Sequence, residues 1–374
     1  MKNEHNVLCQ EYDGACGLKL AVVTLNSPKT LNALNTEMIE HLYNKLQEWK
    51  NDERFACIVI QGAGEKSFCA GGDVVSLYHA SAAYGETCAN TDGLNFFTKE
   101  YRLDYLIHTY PKPIVVWGSG IVMGGGLGLL CGASHRIVTD STNMSMPEVT
   151  IGLYPDVGAT WFLNRAPKGV GMFLGLTGAS MNAADAIFSG LADGFIPNSV
   201  KDDFFADLKG TQWSSDNTCN HKKVDAIIAA FQERNRLAIP RGNIENNLSY
   251  IRSLEQYDFL ETVQKISEYD GENKWLKKAS VKLRQGCPIT LFLVNEQMRR
   301  GAQLTLKEVF QFELMLSVNS LRLGHFKEGV RALLIDKDNR PTWTPKTVDT
   351  VRPDDIEAFF MAPWPKDQHP LKHL

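Results

Sequence analysis

The sequence lacks the long apolar runs, paired cysteines and targeting patterns that would place it in a membrane or outside the cell. No stretch approaches the roughly 18 apolar residues that a spanning helix needs, so we expect no membrane partner. The eight cysteines are scattered and include no CxxC pair, which favours a reducing compartment. Residues 1–12 show neither an apolar secretion segment nor an Arg- and Ser-rich import pattern, so we expect a cytoplasmic protein.

Motifs for several familiar chemistries are absent as well. There is no GxxxxGK(S/T) phosphate loop and no GxSxG nucleophile elbow, and the glycine-rich stretch fails the GxGxxG dinucleotide pattern. The only HxxxH among the nine histidines runs from His369 to His373, where Pro370 opposes a helical pair of ligands, so we expect no metal. A net charge of −4 gives no reason to expect a nucleic-acid partner.

Strand-like and helix-like segments alternate along the first part of the chain. β-branched apolar runs predict buried strands at 18–25, 57–60, 113–117 and 136–139. Apolar residues from Met38 to Trp49 recur at helical spacing, with Asn35 or Thr36 as the cap. Strands that alternate with helices indicate an α/β region over residues 1–200.

The C-terminal part has a different pattern. It contains few strand-like runs, and apolar residues recur at helical spacing between positions 244 and 323. At 374 residues the chain is also long for a single core. We therefore predict that residues 201–374 form a mostly helical region packed on residues 1–200.

Two stretches carry the candidate chemistry. Residues 120–130 place bare backbone amides at the start of an apolar helix, which suits an oxygen that becomes negative during a reaction. Residues 146–158 contain Glu148 and Asp156, which could supply a base or nucleophile and an acid. Ordinary alternatives exist for each: close packing for the glycines, a helix cap for Asp156 and a first-turn acid for Glu148.

Together with residues 67–73 (Ser-Phe-Cys-Ala-Gly-Gly-Asp), these stretches resemble the crotonase (enoyl-CoA hydratase/isomerase) superfamily. The resemblance spans nearly the whole chain. Residues 286–290, 304–310 and 326–338 resemble the 3-hydroxyisobutyryl-CoA hydrolase subgroup in particular, because shorter hydratases lack such an extension. The resemblance implies an α/β fold, a crotonase-type spiral of ββα units with a helical C-terminal extension.

The resemblance also implies catalytic roles. The N–H groups of Gly72 and Gly125 would form an oxyanion hole that polarises a thioester carbonyl. Glu148 would attack that carbonyl or act as a base on water, and the sequence leaves both routes open. Asp156 would orient the substrate hydroxyl or a water molecule and help to transfer a proton.

Three further residues bear on substrate binding and reaction type. The resemblance implies that Glu100 and Gly125 line the substrate site and that Lys29 faces a CoA phosphate. From the residues alone, Glu100 is an ordinary helix surface charge and Lys29 a solvated loop residue. Gly128 stands where enoyl-CoA hydratases carry a glutamate, which makes hydratase activity doubtful.

The activity that the resemblance implies is hydrolysis of a short β-hydroxyacyl-CoA thioester, with 3-hydroxyisobutyryl-CoA as the first candidate, as in valine breakdown. The partner would be an acyl-CoA, and no cofactor would be needed because CoA arrives with the substrate. Two alternatives remain open: an enoyl-CoA hydratase or isomerase of the same fold, and a non-catalytic CoA-binding protein. The superfamily favours trimers, so a homo-oligomer is also open.

Overall fold

The computed structural model describes residues 6–14, 16–84, 91–365 and 367–374, which form strands followed by many helices. The strands are β1 (Val7–Asp13), β2 (Lys19–Leu25), β3 (Phe55–Gly62), β4 (Ser67–Cys69), β5 (Ile114–Gly118), β6 (Ile121–Met123), β7 (His135–Val138), β8 (Asn143–Ser145) and β9 (Gly194–Phe195). The helices up to residue 235 are α1 (Thr36–Asn51), α2 (Val74–Tyr84), α3 (Thr91–His108), α4 (Gly125–Gly132), α5 (Ala159–Leu163), α6 (Val170–Thr177), α7 (Ala183–Phe188), α8 (Lys201–Gly210) and α9 (Asn217–Asn235).

The remainder of the chain is helical. It contains α10 (Asn243–Asn246), α11 (Leu248–Ser253), α12 (Phe259–Ser267), α13 (Lys274–Gln285), α14 (Pro288–Gly301), α15 (Leu306–Arg322), α16 (His325–Val330) and α17 (Pro353–Glu357). The helical pattern predicted between positions 244 and 323 is therefore confirmed. In the described part of the chain, no helix is long and apolar enough to cross a membrane.

The larger sheet has six strands in the order β1-β2-β3-β5-β7-β9. β1 runs antiparallel to β2, and every later neighbour runs parallel. β5 is buried along its whole length and β3 along most of it, as expected for parallel strands covered on both faces. The four strands predicted from β-branched runs all lie in this sheet, and their positions are confirmed.

The smaller sheet has the order β4-β6-β8, and each of its strands is only three residues long. β4 and β6 pair in parallel. β6 leads directly through Gly124 into α4, so the second sheet positions the start of that helix. The sequence analysis did not predict these three strands, because three residues are too few to show a periodicity.

Helix α1 follows the predicted pattern. Asn35 has extended backbone angles, and its side chain accepts a hydrogen bond from the N–H of Met38 at 2.8 Å. Of the two predicted caps, Asn35 is therefore the one that the structure uses. The apolar residues at helical spacing are the buried ones: Met38, Ile39, Leu42, Leu46 and Trp49.

The chain divides into two compact units, each assembled from three chain segments. The first consists of Met1–Gly72, Leu103–Met144 and Met181–Glu245. Strands of the larger sheet and the helices α8 and α9 supply one apolar core of this unit, in which Trp117 lies against Phe204 with ring centroids 5.6 Å apart. The second consists of Asp73–Arg102, Ser145–Ser180 and Asn246–Leu374. Neither unit coincides with the predicted ranges 1–200 and 201–374, because the segments of the two units alternate along the chain.

The cysteines form no disulfide bond within the described ranges. Cys57, Cys131 and Cys287 are buried among apolar residues, as expected for small core side chains. Cys88 lies outside the described residues.

Candidate functional site

The predicted oxyanion glycines, Gly72 and Gly125, both belong to the first unit, where Gly72 forms an isolated β-bridge with Leu34. Gly125 is the first residue of α4, where an N–H has no acceptor within the helix. Gly71 has a φ of 108°, and a Cβ at this position would lie 3.7 Å from the nitrogen of Gly125. Glycine at position 71 therefore lets this segment approach the start of α4 closely. The backbone at Gly71 thus lies beside the start of α4, and an oxyanion hole formed by the N–H groups of Gly72 and Gly125 stays a prediction.

Lys29 lies exposed on a short 3-10 turn (Pro28–Thr30) of the same unit. Asn32 holds this loop, since its fully buried side chain donates to the carbonyl oxygens of Ala63 at 3.0 Å and Ser67 at 2.9 Å. Lys29 is thus a solvent-accessible cation on a fixed loop. A role for it in binding a phosphate stays a prediction.

Three of the buried carboxyl groups of the second unit, Glu100, Glu148 and Asp156, are the predicted site residues, and we call them the acid cluster. Their exposed fractions are 2%, 5% and 4%. Burial raises the pKa of Glu100 well above its ordinary value, and the charges of Asp156 and Glu148 raise it further. The alternative that Glu100 is a surface charge is therefore wrong. Like charges in one buried site disfavour simultaneous ionisation, so each of these carboxyl groups makes it harder for the others to lose a proton.

Glu148 begins a 3-10 turn (Glu148–Ile151) that follows Pro147. Burial raises its pKa well above the ordinary value and the charge of Asp156 adds to this, whereas the charge of Lys282 acts in the opposite direction. Among the described residues, its Oε2 atom has no hydrogen-bond partner. A first-turn acid would explain the position of Glu148. It would not explain a buried oxygen without a partner, which costs about 1–3 kcal/mol.

Asp156 lies in the loop before α5 and is not a helix cap. Gly158 occupies the N-cap position, and no side chain caps that helix. Instead, the Oδ2 atom of Asp156 accepts a hydrogen bond from the hydroxyl of Tyr101 at 2.6 Å. Burial raises the pKa of Asp156 to about 6, although the bond from Tyr101 and a backbone hydrogen bond lower it. The cap alternative is therefore wrong.

Glu313 on α15 fixes the loop that carries Asp156. Its fully buried carboxyl group accepts from the N–H of Gly158 at 2.7 Å and from the N–H of Thr160 at 2.8 Å. Burial raises the pKa of Glu313 to about 8, while these hydrogen bonds lower it. Val157, between Asp156 and Gly158, has a φ of 54°, a conformation that a β-branched residue adopts only when its surroundings impose it. The bidentate contact from Glu313 supplies such a constraint.

The sequence analysis missed the residues that support the acid cluster: Tyr101, Tyr154, Lys282, Glu313 and Ser317. Ser317 lies 216 residues from Tyr101 along the chain, and Glu313 lies 155 residues from Gly158. One signal was present in the sequence. Glu313 and Ser317 are four residues apart, so they share one face of α15, and they interrupt its apolar side.

Among the residues that the structure describes, no three His, Cys, Asp or Glu side chains are grouped so that they could hold a metal ion. Lys282 is the cation whose charge lowers the pKa of Glu148, and its ammonium group donates to the carbonyl oxygen of Gly178 at 2.7 Å.

Known proteins resemble the chain over most of its length. A family model described as enoyl-CoA hydratase/isomerase matches residues 20–360. The protein of Danio rerio named 3-hydroxyisobutyryl-CoA hydrolase, mitochondrial, is 36% identical over 92% of this chain and 87% of its own. The protein of the same name from Gallus gallus is 33% identical over 96% of this chain and 92% of its own.

A solved structure is similar over the full length. The crystal structure of a carnitinyl-CoA dehydratase from Mycobacterium thermoresistibile is 34% identical, has a TM-score of 0.85 and covers 100% of both chains. This structure shows that the chain shares its fold. The names of the similar proteins differ in the reaction: the curated relatives are named as hydrolases, and the protein of the solved structure is named as a dehydratase.

Proposed function

The chain belongs to the enoyl-CoA hydratase/isomerase family, and from that premise we propose that it hydrolyses 3-hydroxyisobutyryl-CoA, a short β-hydroxyacyl-CoA thioester. The observation that carries the proposal is the buried pair Glu148 and Asp156. One has an oxygen without a partner among the described residues, and the other is held by a tyrosine hydroxyl. Curated relatives of that name match over most of the chain. The products would be 3-hydroxyisobutyrate and CoA, as in valine breakdown.

The fold agrees with this assignment. The chain has the crotonase-type α/β fold with a helical C-terminal extension. The carnitinyl-CoA dehydratase structure matches it along the whole of both chains, so that protein includes the extension too. The fold class predicted from the sequence is therefore confirmed. Proteins of this family act on acyl-CoA substrates, so the chemistry to be explained is what the acid cluster does to a thioester.

Thioester hydrolysis needs a nucleophile and stabilisation of the carbonyl oxygen as it becomes negative. In our proposal the N–H groups of Gly72 and Gly125 hold that oxygen. In one route Glu148 attacks the carbonyl carbon, the carbon–sulfur bond breaks, and CoA leaves as a thiolate that takes up a proton. Water then cleaves the acyl anhydride and restores the carboxylate. In the other route Glu148 removes a proton from water, which attacks directly.

The remaining site residues have supporting roles in the proposal. Asp156 orients the substrate hydroxyl or a water molecule and transfers a proton to or from it, for which a pKa of about 6 is well suited. Glu100 and Gly125 line the acyl site, and Lys29 faces a CoA phosphate. CoA enters and leaves as part of the substrate, so we propose no resident cofactor. A homo-oligomer and a cytoplasmic location stay predictions, which light scattering and cell fractionation would test.

The purified protein should release free thiol from 3-hydroxyisobutyryl-CoA and leave the enoyl absorbance of crotonyl-CoA unchanged. The reason is Gly128 in α4, where hydratases of the family carry a glutamate that holds water for addition to the double bond. Without that group, Glu148 is better placed to act on a polarised carbonyl. A thiol reagent and the absorbance of the conjugated bond measure the two reactions in one cuvette.

Acetyl-CoA, which lacks the β-hydroxyl group, is the control for substrate choice in that assay. Fast loss of the enoyl absorbance without thiol release would contradict the proposal and favour a hydratase. Hydration is the reverse of the dehydration in the name of the carnitinyl-CoA dehydratase structure. Inactivity on a panel of short acyl-CoA esters would favour the non-catalytic alternative.

Replacement of Asp156 by Asn should lower kcat by about 10²–10³-fold, because Asn cannot take up the proton. Its amide oxygen can still accept from the Tyr101 hydroxyl, so the midpoint of thermal unfolding should change little. In the wild-type protein, activity should fall as the pH decreases through about 6, where the carboxylate is protonated. A pH–rate profile of both proteins measures this, and an Asp156→Asn variant with wild-type turnover would refute the role.

A further inference from the structure

Asp156 stands at one end of a buried chain of hydroxyl groups that continues to helix α15. The Tyr101 hydroxyl lies 2.6 Å from Oδ2 of Asp156 and 2.6 Å from Oγ of Ser317. The Ser317 hydroxyl in turn lies 2.8 Å from the Tyr154 hydroxyl, which donates to the carbonyl oxygen of Glu313 at 2.6 Å. Tyr101, Tyr154 and Ser317 are each 0% exposed, so water does not compete for these bonds.

The number of protons available limits the directions that these hydrogen bonds can take. A tyrosine hydroxyl has one proton, and Tyr101 uses it on the carboxylate of Asp156. Ser317 has one proton and two acceptor oxygens within reach, those of Tyr101 and Tyr154, because each tyrosine gives its own proton to another acceptor. When Ser317 donates to Tyr101, the donors of Ser317 and Tyr101 both point towards Asp156. Such a chain makes the terminal donor stronger, and a donor to a carboxylate favours the charged form.

We propose that Ser317 is a positioning residue for Asp156: it orients the Tyr101 hydroxyl, and that hydroxyl holds the Asp156 carboxylate ionised and in one orientation. The kinetic part of this inference rests on the proposed hydrolase function, whereas the part concerning the ionisation of Asp156 does not. Ser317 acts only through Tyr101. Its neighbour on the same helix face, Glu313, acts separately by holding the backbone of Gly158 and Thr160.

The other carboxyl groups that face Asp156 oppose its charge. They are Glu100 on α3, Glu148 in its 3-10 turn and Glu313 on α15. The tyrosines that face it, Tyr101 on α3 and Tyr154 in the loop that follows Glu148, are neutral, because burial raises their pKa well above the ordinary value. Burial of Asp156 also opposes its charge. The hydrogen bond from Tyr101 is the side-chain contact that favours the ionised form. Its orientation therefore decides how far the carboxyl group is ionised at neutral pH.

The test compares Ser317→Ala and Tyr101→Phe with Ser320→Ala as the matched control. Ser320 lies on the same helix and is equally buried, but its hydroxyl donates to the carbonyl oxygen of Leu316 at 2.9 Å within α15. The pKa of Asp156 is measured by carbon-detected NMR on protein labelled with ¹³C at the aspartate carboxyl groups, and Asp156→Asn assigns the signal. The acid limb of kcat/KM for thiol release is recorded in parallel, since it reports the free enzyme.

Tyr101→Phe should raise the pKa of Asp156 by about one unit, the size expected when a hydrogen bond to a charged group is lost. Ser317→Ala should raise it by less, in the same direction, and Ser320→Ala should leave it unchanged. The acid limb of the rate profile should move to higher pH by the same amounts. A merely structural role would lower thermal stability without moving either titration.

An unchanged titration in a folded Ser317→Ala protein overturns the proposal, and so does an equal shift in Ser320→Ala. Circular dichroism and thermal unfolding establish that each variant is folded. If Ser317→Ala does not fold, Tyr101→Phe tests the same chain of hydrogen bonds, and an unchanged titration of Asp156 in that variant overturns the proposal. If the wild-type protein releases thiol from no acyl-CoA tested, the proposed function fails. The NMR titration of Asp156 then still decides between the two outcomes for Ser317.

Discussion

Replacement of Glu148 by Gln should lower the turnover of 3-hydroxyisobutyryl-CoA by at least about 10³-fold, because an amide can neither attack the thioester carbonyl nor remove a proton from water. The variant should still fold to the same structure. Gln is close to Glu in shape, and Oε2 of Glu148 has no partner to lose among the residues that the structure describes. Initial rates of thiol release with saturating substrate measure the effect on kcat, and thermal unfolding measures the effect on stability.

The difference in stability between this variant and the wild type should depend on pH in a defined direction. Burial raises the pKa of Glu148 well above its ordinary value, so the folded state binds its proton more tightly than the unfolded state does. The resulting stabilisation is present below the ordinary pKa and is lost as the pH rises through the raised one. Gln never becomes charged. The variant should therefore match the wild type at acid pH and unfold at a higher temperature than the wild type at alkaline pH.

Glu272→Gln is the matched control, since this exposed residue lies on the same unit just before α13. It should change neither turnover nor the pH dependence of unfolding. Wild-type turnover by Glu148→Gln would remove Glu148 from the mechanism. Loss of turnover together with a large loss of stability at all pH values would instead make it a structural residue.

The parts of the site that could be predicted are those encoded in short, local stretches. Glu148 and Asp156 are eight positions apart in one motif, and the glycines at 71–72 and 124–126 stand out in sequence. Likewise, β3 and β5 are predictable because continuous β-branched runs are typical of buried parallel strands. In each case the residues that define the feature lie within a few positions of one another.

The parts that could not be predicted depend on contacts between distant segments. The three-residue strands β4 and β6 are defined by their pairing and not by their own pattern. Ser317 and Tyr101 meet across 216 residues, and nothing in either neighbourhood indicates the other. Glu100 is the clearest case in which burial could not be predicted from the sequence. In sequence it is a charged residue of a helix, and only the packing of α3 shows that its carboxyl group is 2% exposed.

Truncation after Glu245 should abolish activity, because it removes residues 246–374, the largest segment of the second unit. The apolar faces of α14 and α15 would be lost from the core of that unit, including Leu291, Leu293, Phe310 and Leu314, which are at most 1% exposed. Burial of one such side chain contributes about 1.5–3 kcal/mol, against a net stability of about 5–15 kcal/mol for a whole domain. The remaining segments of the unit cannot compensate for that loss.

The truncation also removes every residue of α15 that holds the acid cluster in place. Ser317 would no longer orient Tyr101, and the N–H groups of Gly158 and Thr160 would lose the carboxyl group of Glu313. The truncated protein should therefore be insoluble, or should melt without cooperativity and release no thiol. Co-expression of residues 246–374 as a separate chain is the control, since restored solubility and activity would show that the contacts matter and not the covalent link. A truncated protein that is soluble, melts cooperatively and is fully active would show that the C-terminal helices do not build the site.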